Sequence, residues 1–275
     1  MRLAENPDPA GLLRLALSAA SQAGRMLADR SGPAVVVGTK TSPTDVVTEM
    51  DQAAERLIRE LIGAARPHDG VLGEEGGQVG EGSVRWIVDP LDGTVNYLYD
   101  LPDWAVSVAA EVAERVVAGA VCVPRRNVMY YATLGGGAWQ QNLDSSAGAH
   151  RLSCNAGVPL ARALVATGFG YDPGRRLVQG QVVGALLPRV RDIRRNGAAA
   201  VDLCSLAAGN VDGYYERGVQ YWDIAAGSLI AREAGATVGG LAGKPAGPSM
   251  TLGGGPGLFA ELHDLLLSMD PERDA

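Results

Sequence analysis

Trp86-Ile87-Val88-Asp89-Pro90-Leu91-Asp92-Gly93-Thr94 carries an apolar run straight into two carboxylates. Arg85 to Asp89 reads as a buried strand, and Pro90 biases Asp89 toward extended backbone. A straight strand would separate Asp89 from Asp92 by about 10 Å, too far for both to reach a pair of ions about 4 Å apart. The chain is therefore expected to turn at Pro90-Leu91. That turn brings the carboxylates together and aims the Leu91 carbonyl inward as a further oxygen ligand. Gly93 lets the backbone approach a phosphate, with the amides of Gly93 and Thr94 directed at its oxygens. Pro-Leu-Asp-Gly alone is also good surface-turn chemistry. The Trp-Ile-Val-Asp entry argues against that plainer reading, since surface turns seldom need a buried acid at a strand end.

Further acids stand where other elements begin or end. Val71-Leu72 reads as a short strand running into Gly73-Glu74-Glu75, where Glu74 can bridge a metal and hold a water or serve as an ordinary loop acid. Trp222-Asp223-Ile224-Ala225-Ala226-Gly227 opens a helix expected at about 224–234, with Asp223 as an N-cap that keeps an oxygen for a metal. Like charges about 4 Å apart repel by about 4 kcal/mol at an effective dielectric near 20. A pair of Mg²⁺ ions reverses that sign and supplies Lewis acidity for phosphoryl transfer. Lys40-Thr41-Ser42-Pro43-Thr44-Asp45-Val46-Val47-Thr48-Glu49-Met50-Asp51 precedes a helix expected to start at Pro43 and Thr44 and run to about Ala64. Thr48 and Asp51 would then share a helix face. Asp51 could accept the Thr94 hydroxyl proton and so polarise an attacking water; alone, the segment reads as a solvated helix start.

Composition narrows the function class. Net charge is −7, which disfavours general nucleic-acid or anionic-membrane binding. The dense positive run Arg189-Val190-Arg191-Asp192-Ile193-Arg194-Arg195 reads as a solvated edge or a subunit contact. Cys122, Cys154 and Cys204 lack metal-type spacing and read as reduced, buried thiols of a cytoplasmic protein. The scattered His68, His150 and His263 make zinc a poor match. No signal peptide is legible, and no apolar run reaches the roughly 18 residues a membrane helix needs.

At 275 residues, 47% of them apolar, the chain can bury a large core. Residues 9–29 read as an amphipathic helix with Leu12, Leu13, Leu15, Leu17, Ala20 and Leu27 on or near one face. Val35–Val37 reads as a short strand, and Gly76–Gly82 as a polar loop. Ala105–Val112, Val116–Val123 and Val128–Thr133 read as an antiparallel meander. Strands at Leu164–Thr167 and Arg191–Ile193 follow, with helices at about 176–187, 198–209 and 258–268. Gly239–Gly257 reads as a loop and the tail after Met269 as frayed. This order argues a layered α/β or α+β sandwich, not a doubly wound sheet. It is read as a single domain over 1–275, with an α+β half over about 1–140 and an α/β half over about 141–275.

Taken together, the ordered series Gly-Glu-Glu, Trp-Ile-Val-Asp-Pro-Leu-Asp-Gly-Thr-Val-Asn and Trp-Asp-Ile-Ala-Ala-Gly resembles the inositol monophosphatase family, from Lys40 to Gly235. The resemblance implies a five-layered αβαβα sandwich, a homodimer, and Mg²⁺ at two to three positions per site, with Mn²⁺ as a substitute and Li⁺ as an inhibitor. Glu74, Asp89 and the Leu91 carbonyl would hold the first ion, and Asp89, Asp92 and Asp223 the second. Glu74 would also contact a third. Thr94 with Asp51 would activate the water, and the amides of Gly93 and Thr94 would hold the phosphate. Gly197, Ala198, Ala199, Glu216 and Asp223 would contact substrate, and Lys40 would balance charge behind the site.

The implied activity is hydrolysis of a small polyol phosphate, myo-inositol 1-phosphate first, by metal-activated water. Fructose 1,6-bisphosphate, histidinol phosphate and 3′-phosphoadenosine 5′-phosphate are the alternatives, distinguished by contacts near residues 165–176 and 195–221. The Val95-Asn96 pair and Glu216 favour the inositol branch. Ala198 and Val95 replace threonines of many relatives, which weakens the case for inositol itself. A partner role with the transcription machinery, docked through the arginine run, is the reading from another class.

Overall fold

The computed structural model describes residues 8–32, 34–40, 42–43, 45–144 and 148–274. Helix α1 (Pro9–Ala28) precedes a hairpin of β1 (Val36–Thr39) and β2 (Val46–Thr48), and α2 (Glu49–Ala65) follows. Next come β3 (Gly70–Gly73), β4 (Gly77–Val79), β5 (Val84–Asp92) and the short helix α3 (Thr94–Leu98). The meander is β6 (Ala105–Val112), β7 (Arg115–Val123), β8 (Val128–Thr133) and β9 (Gly137–Asn142), with β10 (His150–Arg151) beside it. The remaining elements are β11 (Leu164–Thr167), α4 (Pro173–Leu186), β12 (Asp192–Arg194), α5 (Ala199–Ala207) and β13 (Gly213–Glu216). Then follow α6 (Tyr221–Glu233), β14 (Thr237–Gly239), β15 (Thr251–Gly254) and α7 (Leu258–Ser268).

Two sheets organise these elements. One has eight strands in the order β10-β9-β8-β7-β6-β5-β3-β4, and the other has five, β12-β11-β13-β15-β14. Helices α1 and α2 cover one face of the larger sheet through Leu12, Leu27, Ile58 and Ile62. Helices α5 and α6 fill the layer between the sheets, where Leu203, Leu206, Ile224 and Ile230 are buried. On the far face of the smaller sheet, Val178, Val182 and Leu186 of α4 pack with Leu258, Leu262 and Leu266 of α7. The stack is thus the expected αβαβα sandwich. Among the described residues, no helix is long and apolar enough to cross a membrane.

Several local expectations need correction. The buried stripe of α1 is Leu12, Ala16, Ala19, Ala20, Ala23, Gly24 and Leu27, while Leu13, Leu15 and Leu17 are only half-buried. Small residues win because the helix lies close on β7: a Cβ at Gly24 would fall 2.8 Å from Cys122 Sγ. Helix α2 begins at Glu49, not at Pro43 and Thr44, because Val46–Thr48 pairs with β1 instead; Thr44, and Thr41 before it, lie outside the described residues. Gly76–Gly82 contains β4, paired to β3, and Gly239–Gly257 contains β15, which joins β13 to β14. The strand expected at Arg191–Ile193 sits one residue later, where Leu164 to Ala166 pair with Asp192 to Arg194. Helix α4 starts earlier than 176 because Asp172 caps it, accepting the Arg175 N–H at 2.7 Å. The segment after Met269 is tied down: Pro271 is buried, and the Arg273 carbonyl accepts from Arg217 at 2.6 Å.

Candidate active site

The decisive stretch does not turn where expected. Strand β5 continues to Asp92, and against β6 Asp89 pairs with Ser107 and Asp92 with Ala105. Three steps on β5 therefore face two on β6, which is a bulge. Pro90, lacking an N–H, tolerates the broken ladder. The Leu91 N–H is released to bond Asp89 Oδ1 at 3.0 Å, and the Leu91 carbonyl accepts the Thr94 hydroxyl at 3.1 Å. The bulge does the work assigned to a turn: it swings Asp89 and Asp92 toward one cleft. Gly93 follows at φ 87°, and a Cβ there would meet the Asp103 carbonyl at 2.9 Å. No other residue satisfies both demands.

Helix α2 supplies the partner of Thr94. Thr48 is its N-cap, accepting the Met50 N–H at 3.2 Å and the Asp51 N–H at 3.4 Å. Asp51 Oδ2 in turn accepts the Thr48 N–H at 2.8 Å, which closes a capping box. So Thr48 and Asp51 relate as cap and third residue, not as two positions along a helix face. The other oxygen, Asp51 Oδ1, accepts the Thr94 hydroxyl at 3.0 Å. That pairing was expected, and it joins a buried Asp51 to a Thr94 that is only half-buried at the cleft.

Glu74, Asp89, Leu91, Asp92, Gly93, Thr94, Lys40 and Asp223 all line the one cleft. Asp223 is not the N-cap of α6. It stands at the third helical position and accepts the Gln220 N–H at 2.6 Å, because the helix starts at Tyr221. Asp92 accepts the Ala199 and Ala200 N–H groups at 3.2 and 2.7 Å, at the positive end of α5. Lys40 Nζ lies 2.7 Å from Glu74 Oε1 and 2.6 Å from Glu75 Oε1.

Burial pushes the Asp89 carboxyl well above the usual carboxylate range, and the charges of Glu74, Asp92 and Asp223 push it further. Asp223 is raised for the same reasons, burial first and then Glu74 and Asp92. Burial also raises Asp92, against the pull of the Ala200 N–H and with help from Glu216, Asp202 and Glu74. Glu74 is raised by burial, with Lys40 opposing. Burial alone would lower Lys40, but Glu74 and Glu75 outweigh it and hold the ammonium charged. Four carboxylates in one cleft, each raised by burial and by neighbouring acids, suit a cation-binding centre, and a donor set made only of oxygens suits a hard ion such as Mg²⁺ or Mn²⁺. Among the described residues, no three acids, histidines or cysteines form a ready-made cage. Each carboxylate is instead held by a local donor: a backbone N–H or Lys40.

The opposite wall divides the expected substrate contacts. Gly197, Ala199 and Glu216 line the cleft, but Ala198 does not; it is buried behind Gly93 as the residue before α5. The Ala199 N–H is already taken by Asp92. Glu216 closes β13, where Tyr214 donates to it at 3.0 Å, and burial pushes its pKa up to about 7 against Tyr214 and Arg195. Sequence reasoning reached Phe169, Tyr171 and Arg195 only through the broad windows 165–176 and 195–221, and it also read Arg195 as part of a solvated edge; all three share this wall, with Arg195 over the Phe169 ring at 5.8 Å. It also passed over Glu55 and Asp202, both buried acids inside helices. A charged residue at a helical core position was the available signal.

Comparison with known proteins gives the family of the chain. The sequence model described as the inositol monophosphatase family matches residues 8–268. An inositol-1-monophosphatase of Mycobacterium tuberculosis, SuhB, is 47% identical over 208 residues, covering 74% of this chain and 71% of its own length. The Nus factor SuhB of Escherichia coli is 38% identical over 237 residues, 84% of this chain and 86% of its own. The solved structure of Mycobacterium tuberculosis SuhB superposes with a TM-score of 0.81 at 39% identity, over 97% of this chain and 99% of that one. A Thermotoga maritima IMPase gives 0.83 at 29% identity, over 94% and 97%. The chain therefore belongs to the inositol monophosphatase family and is a phosphatase of that superfamily.

Proposed function

We propose that this protein is a Mg²⁺-dependent phosphomonoesterase for small polyol phosphates, with myo-inositol 1-phosphate as the leading substrate. The observation that carries the reading is the convergence of Glu74, Asp89, Asp92 and Asp223 beside the Thr94–Asp51 pair. Glu74, Asp89, Asp92, Asp223 and the Leu91 carbonyl would hold the ions. Bound there, Mg²⁺ supplies Lewis acidity and charge neutralisation for phosphoryl transfer. Thr94, backed by Asp51, orients and deprotonates the attacking water. The amides of Gly93 and Thr94 face the phosphate, and Glu216 accepts a substrate hydroxyl. Lys40 opposes the rise that burial imposes on Glu74 and Glu75.

A phosphate-release screen over inositol, sugar, histidinol and nucleotide phosphates tests this. The expected pattern is polyol phosphate turnover with a bell-shaped Mg²⁺ dependence, inhibition by Li⁺, and none in EDTA. Chelator-resistant turnover contradicts it. The reading also includes a homodimer, for which sedimentation equilibrium is the check.

Metal removal should leave a thermodynamic trace. EDTA is expected to lower the melting temperature, since an ion at 100 times its Kd stabilises by about 2.7 kcal/mol. In EDTA, Asp89, Asp92 and Asp223 carry folded-state pKa values above their unfolded ones. Their contribution is present while protonated and is lost as pH rises through the folded values. The chelated protein should therefore melt higher at pH 5 than at pH 8; a flat profile counts against the cluster.

Glu216 gives a separate pH signature. Below about 7 it is protonated and a poorer acceptor. KM for the polyol phosphate should fall as pH rises through that value, and Glu216→Gln should flatten this limb. An unchanged limb in Glu216→Gln removes Glu216 from substrate binding.

A second reading follows from the Escherichia coli relative's name, Nus factor. Arg189, Arg191 and Arg194 are exposed, as a docking edge requires. A pull-down with transcription-elongation proteins that recovers nothing ends it.

A further inference from the structure

We propose that Glu55 is a positioning residue whose buried carboxylate fixes the Glu74–Gly76 turn and thereby sets the affinity of the metal centre. The inference rests on the metal-dependent reading above. Glu55 lies one helical turn after Asp51 on the buried face of α2, and only 3% of it is exposed. Glu74 is the last residue of its segment held by the sheet, its N–H donating to the Val88 carbonyl at 3.2 Å. The next two amides leave the sheet. Glu55 takes both: Oε2 accepts the Glu75 N–H at 2.7 Å, and Oε1 accepts the Gly76 N–H at 2.8 Å.

Arg59, a further turn along α2, completes the clamp. Its Nε donates to Glu55 Oε1 at 2.7 Å, and its Nη2 donates to the Gly77 carbonyl at 2.7 Å. The carboxylate sits so close that a Cβ at Gly73 would lie 2.5 Å from its carbon. Glycine at 73 is thus required by the clamp itself. One helix therefore aligns two parts of the site, Thr94 through Asp51 and the Glu74 turn through Glu55. Lys40 pulls on Glu74 and Glu75 alike, so it cannot by itself choose which of them faces Asp89. Two amides fixed by Glu55 make that choice.

The test uses the full chain stripped with EDTA, Mn²⁺ as the probe, and calorimetry as the readout, with melting temperature recorded in parallel. Glu55→Gln keeps the shape but sets an NH₂ against a backbone donor. It is expected to raise the Mn²⁺ Kd about 10- to 100-fold. The Mg²⁺ needed for half-maximal activity should rise alongside, while kcat at saturating Mg²⁺ stays within about twofold. Arg59→Gln, which weakens the turn but leaves the carboxylate on both amides, serves as the stability-matched control. Its Mn²⁺ Kd should shift by less than about threefold. If both variants lose Mn²⁺ affinity in proportion to lost melting temperature, the role is merely structural and the proposal is overturned. Wild-type protein that binds no Mn²⁺ overturns the metal-dependent reading, and the clamp with it. Wild-type binding matched by Glu55→Gln overturns the clamp alone.

Discussion

Asp92→Asn is expected to lower kcat at saturating Mg²⁺ by about 10³-fold or more, while the protein in EDTA melts at the wild-type temperature or above it. The two halves have one cause. Burial raises the pKa of Asp92 first, and the charges of Glu216, Asp202 and Glu74 raise it further. With a cation present its charge is an asset worth several kcal/mol of transition-state stabilisation, and each 1.36 kcal/mol is about tenfold in rate. Without a cation the same charge is a liability. An Asn side chain is nearly isosteric: its oxygen can keep the 2.7 Å bond from the Ala200 N–H, while its NH₂ gives up the longer 3.2 Å bond from the Ala199 N–H. Relief of the buried like-charge repulsion offsets that lost bond. Steady-state kinetics and melting in EDTA, measured on one preparation, check both halves. Turnover at the wild-type rate shows that Asp92 is not a ligand. A fall of several degrees in EDTA shows that its carboxylate holds α5 in place instead.

The reach of sequence reasoning followed how local each feature is. A layered α/β or α+β sandwich was legible because β6, β7 and β8 repeat with hydrophobic runs of strand length; its five αβαβα layers came only with the family resemblance. The acids at 74, 89, 92 and 223 were legible because each sits where an element starts or stops. Features set by a distant partner were not. The bulge at Pro90 depends on pairing with Ser107 and Ala105, and β15 depends on β13 and β14, so local turn chemistry misread both. Ala198 was assigned to the substrate by position in a motif, but packing against Gly93 buries it. Glu55 escaped because a glutamate inside a helix is ordinary until its target loop is seen.

Thr94→Ala should cost about 10²- to 10⁴-fold in kcat, the range of a lost general acid–base contribution. Mn²⁺ affinity should stay near wild type, because Thr94 adds no carboxylate to the centre. Its hydroxyl has one proton and two candidate acceptors, Asp51 Oδ1 at 3.0 Å and Leu91 O at 3.1 Å. Donating to either leaves the oxygen lone pairs free to accept from a water. Asp51 is the acceptor that can also take the proton, and burial raises its pKa while Thr48 and Thr94 oppose the rise. Asp51→Asn should therefore lose a similar factor in kcat, plus about 1 kcal/mol of stability from the weakened capping box at Thr48. Thr94→Ser keeps the hydroxyl and should remain within about tenfold of wild type. If the two residues act on one proton, the double variant is no slower than the slower single one. Losses that multiply in the double variant would mean that Thr94 and Asp51 serve separate steps, and that the 3.0 Å contact between them is packing alone.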